Sequence, residues 1–326
     1  MREGRPVSSN LLTLAEIEAA RERIAAYVKR TPVLTSDGLD AVTGARLYFK
    51  CECLQHLGAF KVRGATNAVF QIPDADAARG VVTHSSGNHG AAVAGAAAHR
   101  GIPAYIVMPE GTLRPKLAQV ARLGGQITTC APTQAAREAA AARIAAQTGA
   151  AFIHPYDDRR VMAGQGTVGL ELLEEAPELD LVLAPIGGGG LISGLSTVVK
   201  AVRPAARVVG AEPAGADDAA RSLAAHELIP LTEAHTIADG LRTSLSADTF
   251  AHIEARVDQI VTVSEAAIVA AMRVLWEALR VTVEPSACVP YAAIAEGKLD
   301  VRGKSVGVVL TGGNADLDKL PWFSAA

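Results

Sequence analysis

The sequence predicts an α/β fold with two lobes, each built on an open parallel sheet that carries helices on both faces. Short apolar strands alternate with longer helical segments over most of the chain, a pattern typical of parallel sheets. The 326 residues also exceed the usual size of a single core, and 49% of them are apolar. The sequence therefore favours two cores that share one cleft.

A helix and two strands are predicted before Lys61. Helical spacing of apolar residues over 14–28, with Thr13 as N-cap, predicts the first helix, and a Thr-Pro pair ends it. After a short strand, alternating apolar residues from Leu47 predict a half-buried strand, which Gly58 interrupts. We expect the next helix to open at Lys61.

Two series of strands follow, and helices separate the strands. The first series, GVVTH, PAYIVMP, GQITTC and AFIHP, includes a helix over 134–147. The second series is LVLAPI, ARVVGAE and SVGVVL, with helices over 191–202, 265–280 and 286–296. We assign 80–157 to a small domain, and 1–79 with 158–326 to a large domain.

Composition narrows the function classes. The net charge is −3, with no long run of one sign, which argues against nucleic acid or an anionic membrane as partner and favours a small molecule. Residues 1–10 lack an apolar segment, and no apolar stretch reaches the length of a membrane span. A cytoplasmic protein is expected. The four cysteines lack disulfide, redox or zinc spacing, and we interpret them as reduced thiols.

Lys61 is the first candidate for chemistry. It lies between Phe60 and a small-residue turn, where loss of water favours the neutral amine that condenses with a carbonyl. The alternative is that Lys61 and Arg63 are two solvated cations at the start of a helix.

Three turns of small residues follow predicted strands: SSGNHG at 85–90, GGGG at 187–190 and TGGN at 311–314. Helix N-termini at such turns bind anions through backbone N–H groups. The four glycines lack the dinucleotide and P-loop patterns, so a single phosphate is favoured. Tight turns without a ligand are the alternative for each turn taken alone.

With GAFKVRGA and AGQGT, these turns occur in the order and spacing of fold type II pyridoxal-phosphate enzymes, which are tryptophan synthase β-like. From about residue 14 onward the chain resembles the serine/threonine dehydratase and serine racemase family. The resemblance implies pyridoxal 5′-phosphate as cofactor, with Lys61 as the lysine that forms a Schiff base with it and Ser86 as an acid/base on the opposite face. It also implies that the cofactor contacts Phe60, Asn88, Gly187, Gly188, Gly189, Gly190 and Thr311.

The same resemblance implies a substrate site and a metal site. The implied substrate-binding residues are Ser85, Ser86, Gly87, Asn88, His89, Arg137 and Tyr156. The acidic loop EPAGADD suits a hard cation, and the implied ligands are Glu212, the Ala216 carbonyl and Asp218, with Mg²⁺ or Mn²⁺ as the ion and Ca²⁺ as the alternative. Without the resemblance, a solvated acidic loop would be favoured. The histidines show no zinc spacing.

The implied reaction is β-elimination of water from L-threonine or L-serine, which gives a 2-oxo acid and ammonia. A hydroxyl at Thr311 cannot ion-pair with a pyridine nitrogen, so loss of a β-substituent is the natural outlet for charge at the α-carbon. The alternatives are a serine racemase or a 3-hydroxyaspartate dehydratase. Ala59, where the family often has serine, leaves the substrate open. An inactive amino-acid or cofactor-binding protein is a competing class, against which Lys61 argues. The family implies a homodimer, with the cofactor bound by the large domain and the small domain closing over the substrate.

Overall fold

In a computed structural model, the described residues are 11–85, 87–112 and 114–322, without the side chain of Pro115. Their strands are β1 Val33–Leu34, β2 Arg46–Cys51, β3 Val81–His84, β4 Ala104–Pro109, β5 Gln126–Cys130, β6 Ala151–Phe152, β7 Leu181–Pro185, β8 Arg207–Pro213, β9 Gln259–Val263 and β10 Ser305–Leu310. Their helices are α1 Leu14–Ile24, α2 Asp37–Thr43, α3 Lys61–Phe70, α4 Asp74–Ala77, α5 Asn88–Arg100, α6 Arg114–Arg122, α7 Gln134–Thr148, α8 Arg159–Glu175, α9 Gly190–Val202, α10 Asp218–Ala225, α11 Ala247–Arg256, α12 Glu265–Leu279 and α13 Pro285–Ala295.

The strands form two sheets. The larger sheet has the order β1-β2-β10-β7-β8-β9 and the smaller one β5-β4-β3-β6. Among the described strands, β1 and β2 pair antiparallel and all other pairs are parallel. The predicted parallel α/β architecture is therefore confirmed.

Both faces of the larger sheet are covered by helices. In β10, Val306 and Val308 pack into a core with α12 and α13, whereas Val309 packs into a second core with α8 and α9. Because successive side chains of a strand point to opposite faces, a strand buried on both sides is apolar throughout.

The smaller sheet is covered in the same way. Val82 and Val107 pack against α7, and Val81 and Ile106 face a core that includes α5. That core also contains Val62, Ala65 and Val69 of α3, so α3 belongs to the packing of the smaller sheet although it precedes residue 80. The proposed domain boundaries stay predictions.

The structure differs from the predicted elements in a few places. Helix α1 ends at Ile24, four residues before the expected end. Helix α11 and strand β9 were not predicted. β9 lies at the edge of its sheet, and most of its residues are only half-buried although Ile260, Val261 and Val263 are apolar.

Candidate active site

One cavity lies between the two sheets, where β3, β7 and β10 end. Its lining contains most of the residues that the sequence singled out, namely Phe60, Lys61, Ser85, Gly87, Asn88, His89, Arg137, Tyr156, Gly187, Gly188, Gly189, Gly190 and Thr311. Ser86, the predicted second-face acid/base, lies outside the described residues. Parallel strands place their carboxyl ends at one edge, which explains how residues distant in sequence meet here.

The amine of Lys61 faces this cavity without a carboxylate beside it in the described part of the chain. Lys61 begins α3, and its Nζ donates a hydrogen bond to the Pro155 carbonyl at 2.8 Å and lies 5.1 Å from the centre of the Phe60 ring. Burial lowers the pKa of Lys61 to about 8. A lysine of this kind is partly neutral near physiological pH and can act as a nucleophile or base.

Arg63, two residues after Lys61, is fully buried, so the interpretation of it as a solvated cation is wrong. Its guanidinium donates to Glu52 at 2.8 Å and to Glu171 at 2.7 Å, and Lys50 donates to Glu171 at 2.6 Å. Burial alone would raise the pKa of Glu171, but Arg63 and Lys50 lower it overall. This buried charge cluster of Lys50, Glu52, Arg63 and Glu171 ties the first turn of α3 to β2 and α8.

The four-glycine turn leaves room that side chains would fill. A Cβ on Gly188 would lie 2.2 Å from Cδ1 of Tyr156, and Gly189 has φ of +85°, a conformation that favours glycine. Gly190 then begins α9, a helix of 13 residues. The glycines line the cavity, and backbone N–H groups at the start of a helix bind anions, so this part of the lining fits a phosphate group.

Thr311 and Asn88, the predicted contacts to the cofactor ring, both line the cavity. Thr311 is buried and lines the cavity, and within the described residues its hydroxyl makes no hydrogen bond. Its carbonyl accepts a hydrogen bond from the Phe60 N–H at 3.0 Å, which fixes the residue before Lys61 to the end of β10. The amine, the four-glycine turn and this free hydroxyl together fit pyridoxal phosphate.

Three further charged residues, which the sequence does not predict, line the cavity, namely Lys116, Asp239 and Glu284. Lys116 of α6 and Asp239 form an ion pair of 2.7 Å that connects the two lobes. Burial, with a contribution from Asp239, raises the pKa of Glu284 to about 7. No local motif marks these residues, because each acquires its partners through tertiary contacts.

The predicted substrate-binding residues differ in their burial and in their hydrogen-bond partners. Arg137 is half-buried, and its Nε donates to the Thr133 carbonyl at 3.4 Å; no ion pair of Arg137 occurs within the described residues. His89 is buried, with its Nε2 3.3 Å from the Ile153 carbonyl. Burial lowers the pKa of His89 well below its usual value, so this ring is neutral at pH 7. The Ser85 hydroxyl accepts a hydrogen bond from the Gly87 N–H at 3.2 Å.

The predicted metal loop contains two buried carboxyl groups. Glu212 accepts hydrogen bonds from the N–H groups of Ala219 and Ala220, and Asp218 accepts one from Leu245. Burial raises the pKa of both carboxyls, and Asp218 contributes to the shift of Glu212. The described residues contain no cluster of three or more His, Cys, Asp or Glu side chains suited to a metal ion. A cation at this site would therefore need a third ligand such as the predicted Ala216 carbonyl.

Comparison with known proteins connects this geometry to a family. The family model "Pyridoxal-phosphate dependent enzyme" matches residues 24–312. The chain belongs to the pyridoxal-phosphate dependent enzymes. It is 50% identical over 310 residues to a beta-hydroxyaspartate dehydratase of Paracoccus denitrificans (strain Pd 1222), covering 95% of this chain and 98% of that protein. It is 47% identical to a serine racemase of Arabidopsis thaliana, covering 95% of both chains.

A solved structure of maize serine racemase is similar throughout, with a TM-score of 0.92, 46% identity and coverage of 94% of this chain and 95% of that one. The predicted family and fold are thus confirmed, and pyridoxal phosphate is the cofactor that this family of enzymes uses. Membrane-spanning helices do not occur in the described part of the chain, since none of its helices is both long and apolar enough. The predicted residue roles, homodimer and cytoplasmic location stay predictions.

Proposed function

We propose that this pyridoxal-phosphate dependent enzyme is an ammonia-lyase that acts on 3-hydroxyaspartate. Elimination of the β-hydroxyl as water leaves an enamine, which tautomerises to an imine and takes up one water to give a 2-oxo dicarboxylic acid and ammonia. The sequence alone favoured L-threonine or L-serine, with 3-hydroxyaspartate and serine racemisation as alternatives. The relatives support the alternatives better, since they include a beta-hydroxyaspartate dehydratase and serine racemases.

The observation that carries the choice of substrate is Arg137. Arg137 lines the same cavity as Lys61, and its guanidinium has no carboxylate partner among the described residues. A half-buried guanidinium is best satisfied by a planar carboxylate that accepts two hydrogen bonds. Hydroxyaspartate brings a second carboxylate to the site, whereas serine and threonine leave Arg137 unpaired.

Each residue of the cavity has a separate role in the proposed elimination. Pyridoxal phosphate, when bound, supplies an electron-withdrawing ring that stabilises negative charge at the substrate α-carbon. Lys61 holds that cofactor and then, with its lowered pKa, accepts the α-proton at Nζ. The N–H groups at 187–190 bind the phosphate, and Thr311 and Asn88 orient the ring. Arg137 holds the distal carboxylate of the substrate and thereby aligns its α-hydrogen with Lys61.

Serine racemisation is the second candidate, and the serine racemase relatives support it. It needs an acid/base on the face opposite Lys61, for which Ser86 is the predicted residue. Formation of D-serine from L-serine tests this candidate directly.

Removal of Arg137 tests the proposed substrate. Arg137→Ala should lower kcat/KM for 3-hydroxyaspartate by about 10- to 150-fold, which corresponds to a lost charge-assisted interaction of roughly 1.5 to 3 kcal/mol. L-Serine and L-threonine lack the second carboxylate and should change little. Steady-state kinetics of 2-oxo acid release give the three values.

Arg143→Ala is the matched control, because Arg143 is an exposed arginine on the same helix α7 and is not part of the cavity lining. It should leave all three substrates unchanged. Equal losses on the three substrates in Arg137→Ala would mean that Arg137 supports the structure and does not bind the distal carboxylate.

A further inference from the structure

A chain of side-chain amides connects TGGN to the predicted cofactor contact Asn88. Nδ2 of Asn314 donates two hydrogen bonds, one to the Leu57 carbonyl and one to Oδ1 of Asn88, both at 2.8 Å. Nδ2 of Asn88 donates in turn to Oε1 of Glu284 at 2.8 Å. None of these contacts is local in sequence, since Asn314 and Asn88 are 226 residues apart.

The Leu57 carbonyl fixes which side-chain atoms donate and which accept in this series of hydrogen bonds. A backbone carbonyl only accepts hydrogen bonds, so Asn314 must present its NH₂ group to Leu57. The same NH₂ group then faces Asn88, which must present its oxygen there and its nitrogen to Glu284. One hydrogen of the Asn88 nitrogen binds Glu284, and the other has no partner among the described residues, while Asn88 lines the cavity.

The backbone beside Asn314 is hydrogen-bonded to the segment that precedes Lys61. The Gly313 N–H donates to the Gly58 carbonyl at 2.9 Å, and Ala59 and Gly312 form an isolated antiparallel bridge. A Cβ on Gly58 would lie 2.4 Å from Oδ1 of Asn314, and Gly58 has φ of +74°. The close approach of the Asn314 amide therefore depends on a glycine at this position.

We infer that Asn314 and Glu284 are positioning residues that hold the Asn88 amide in one orientation, so that its remaining N–H is available to the cofactor. This inference rests on the proposed function, because it assumes pyridoxal phosphate in the cavity. A side-chain amide that is paired on both sides cannot rotate without breaking two hydrogen bonds. The donor is therefore in place before the ligand arrives, which lowers the cost of binding.

Asn314→Asp tests the inference, because it keeps the size of the side chain but replaces the donor with acceptors. We expect cofactor binding to weaken about tenfold, as for the loss of one well-oriented hydrogen bond, and the visible absorption band of the bound cofactor to shift. Asn67→Asp is the control, since Asn67 is a buried asparagine of α3 outside the cavity lining. The readouts are the dissociation constant of pyridoxal phosphate and the absorption spectrum. Asn314→Ala serves the same purpose if the Asp variant does not fold.

A double-mutant cycle with Asn88→Ala separates positioning from general loosening of the site. If Asn314 acts through Asn88, Asn314→Asp should cost nothing further in the Asn88→Ala background. Equal losses in both backgrounds, or an unchanged dissociation constant and spectrum in Asn314→Asp, would overturn the inference and leave the proposed function intact. A wild-type protein that binds no pyridoxal phosphate would overturn both.

Discussion

Lys61 illustrates how much a single residue can be understood from its surroundings. The flanking Phe60 and the small-residue turn indicated a desolvated amine, and the structure places its Nζ against a carbonyl and an aromatic ring. The sequence could not reveal Arg63 as buried, because its partners Glu52 and Glu171 lie 11 and 108 residues away. Glu284 could not be predicted for the same reason, because its hydrogen-bond partner Asn88 lies 196 residues away.

The pKa of Lys61 can be tested in cofactor-free protein. Its reactivity toward an amine-acetylating reagent should rise with a midpoint near pH 8, because burial lowers the pKa of Lys61 to about 8. In the denatured chain the midpoint should return to about 10.4. Mass spectrometry of the peptide that contains Lys61 measures both. Coincident midpoints in the folded and denatured protein would contradict the prediction.

The lowered pKa of Lys61 makes the free energy of unfolding depend on pH, and the direction follows from the number of protons bound in each state. Between about pH 8 and 10.4 the unfolded chain binds more protons at Lys61 than the folded one. Lys61 therefore makes the free energy of unfolding rise with pH in this window. Lys61→Ala should remove that part of the rise.

At the scale of elements, short motifs at strand ends proved the most predictable features. The strands before SSGNHG, GGGG and TGGN are β3, β7 and β10, and helices α5 and α9 begin at or beside the first two turns. A strand that is buried on both faces is apolar throughout, and the turn after it is rich in small residues. Both features can be recognised in a short stretch of sequence. Strand β9 and helix α11 were not predicted. Ile260, Val261 and Val263 give β9 only a short apolar pattern, and its parallel pairing with β8 identifies it as a strand.

The buried charge cluster should control the stability of α3. Glu171→Gln removes one of the two negative charges that balance Lys50 and Arg63, both fully buried, and should lower the free energy of unfolding by about 3 to 5 kcal/mol. Glu174→Gln on the same helix is the control. Glu174 pairs with Arg21 and Arg30 at the surface, so it should cost no more than about 1 kcal/mol. Urea unfolding of the two cofactor-free variants gives the comparison, and similar losses would contradict a special role for the cluster.

The metal loop at the end of β8 gives another prediction at this scale. A divalent cation that binds the folded state should raise the unfolding temperature of the protein. Mg²⁺, Mn²⁺ and Ca²⁺ should each be compared after exhaustive chelation. Asp218→Asn should abolish the increase. Asp217→Asn should keep it, because Asp217 is half-buried and pairs with Arg221. An unfolding temperature that is insensitive to chelation and to all three ions would identify the loop as acidic without a metal.

For the whole molecule, alternating strands and helices were sufficient to predict two parallel sheets with a cleft between them. They could not predict what crosses the cleft. The ion pair between Lys116 and Asp239 and the packing of α3 with the smaller sheet arise only when the lobes meet. Local motifs therefore mark the glycine-rich part of the cavity lining, whereas the contribution of Lys116 and Asp239 to the lining depends on the relative position of the lobes.

The central claim is that Lys61 and Arg137 together direct elimination of water from 3-hydroxyaspartate. The most direct measurement is the release of 2-oxo acid and ammonia by the cofactor-loaded enzyme from 3-hydroxyaspartate, L-serine and L-threonine, with Lys61→Ala as control. We predict equal amounts of the two products, the highest kcat/KM with 3-hydroxyaspartate, and no turnover by Lys61→Ala. Release from L-serine or L-threonine at a higher kcat/KM, or undiminished turnover by Lys61→Ala, would contradict the claim.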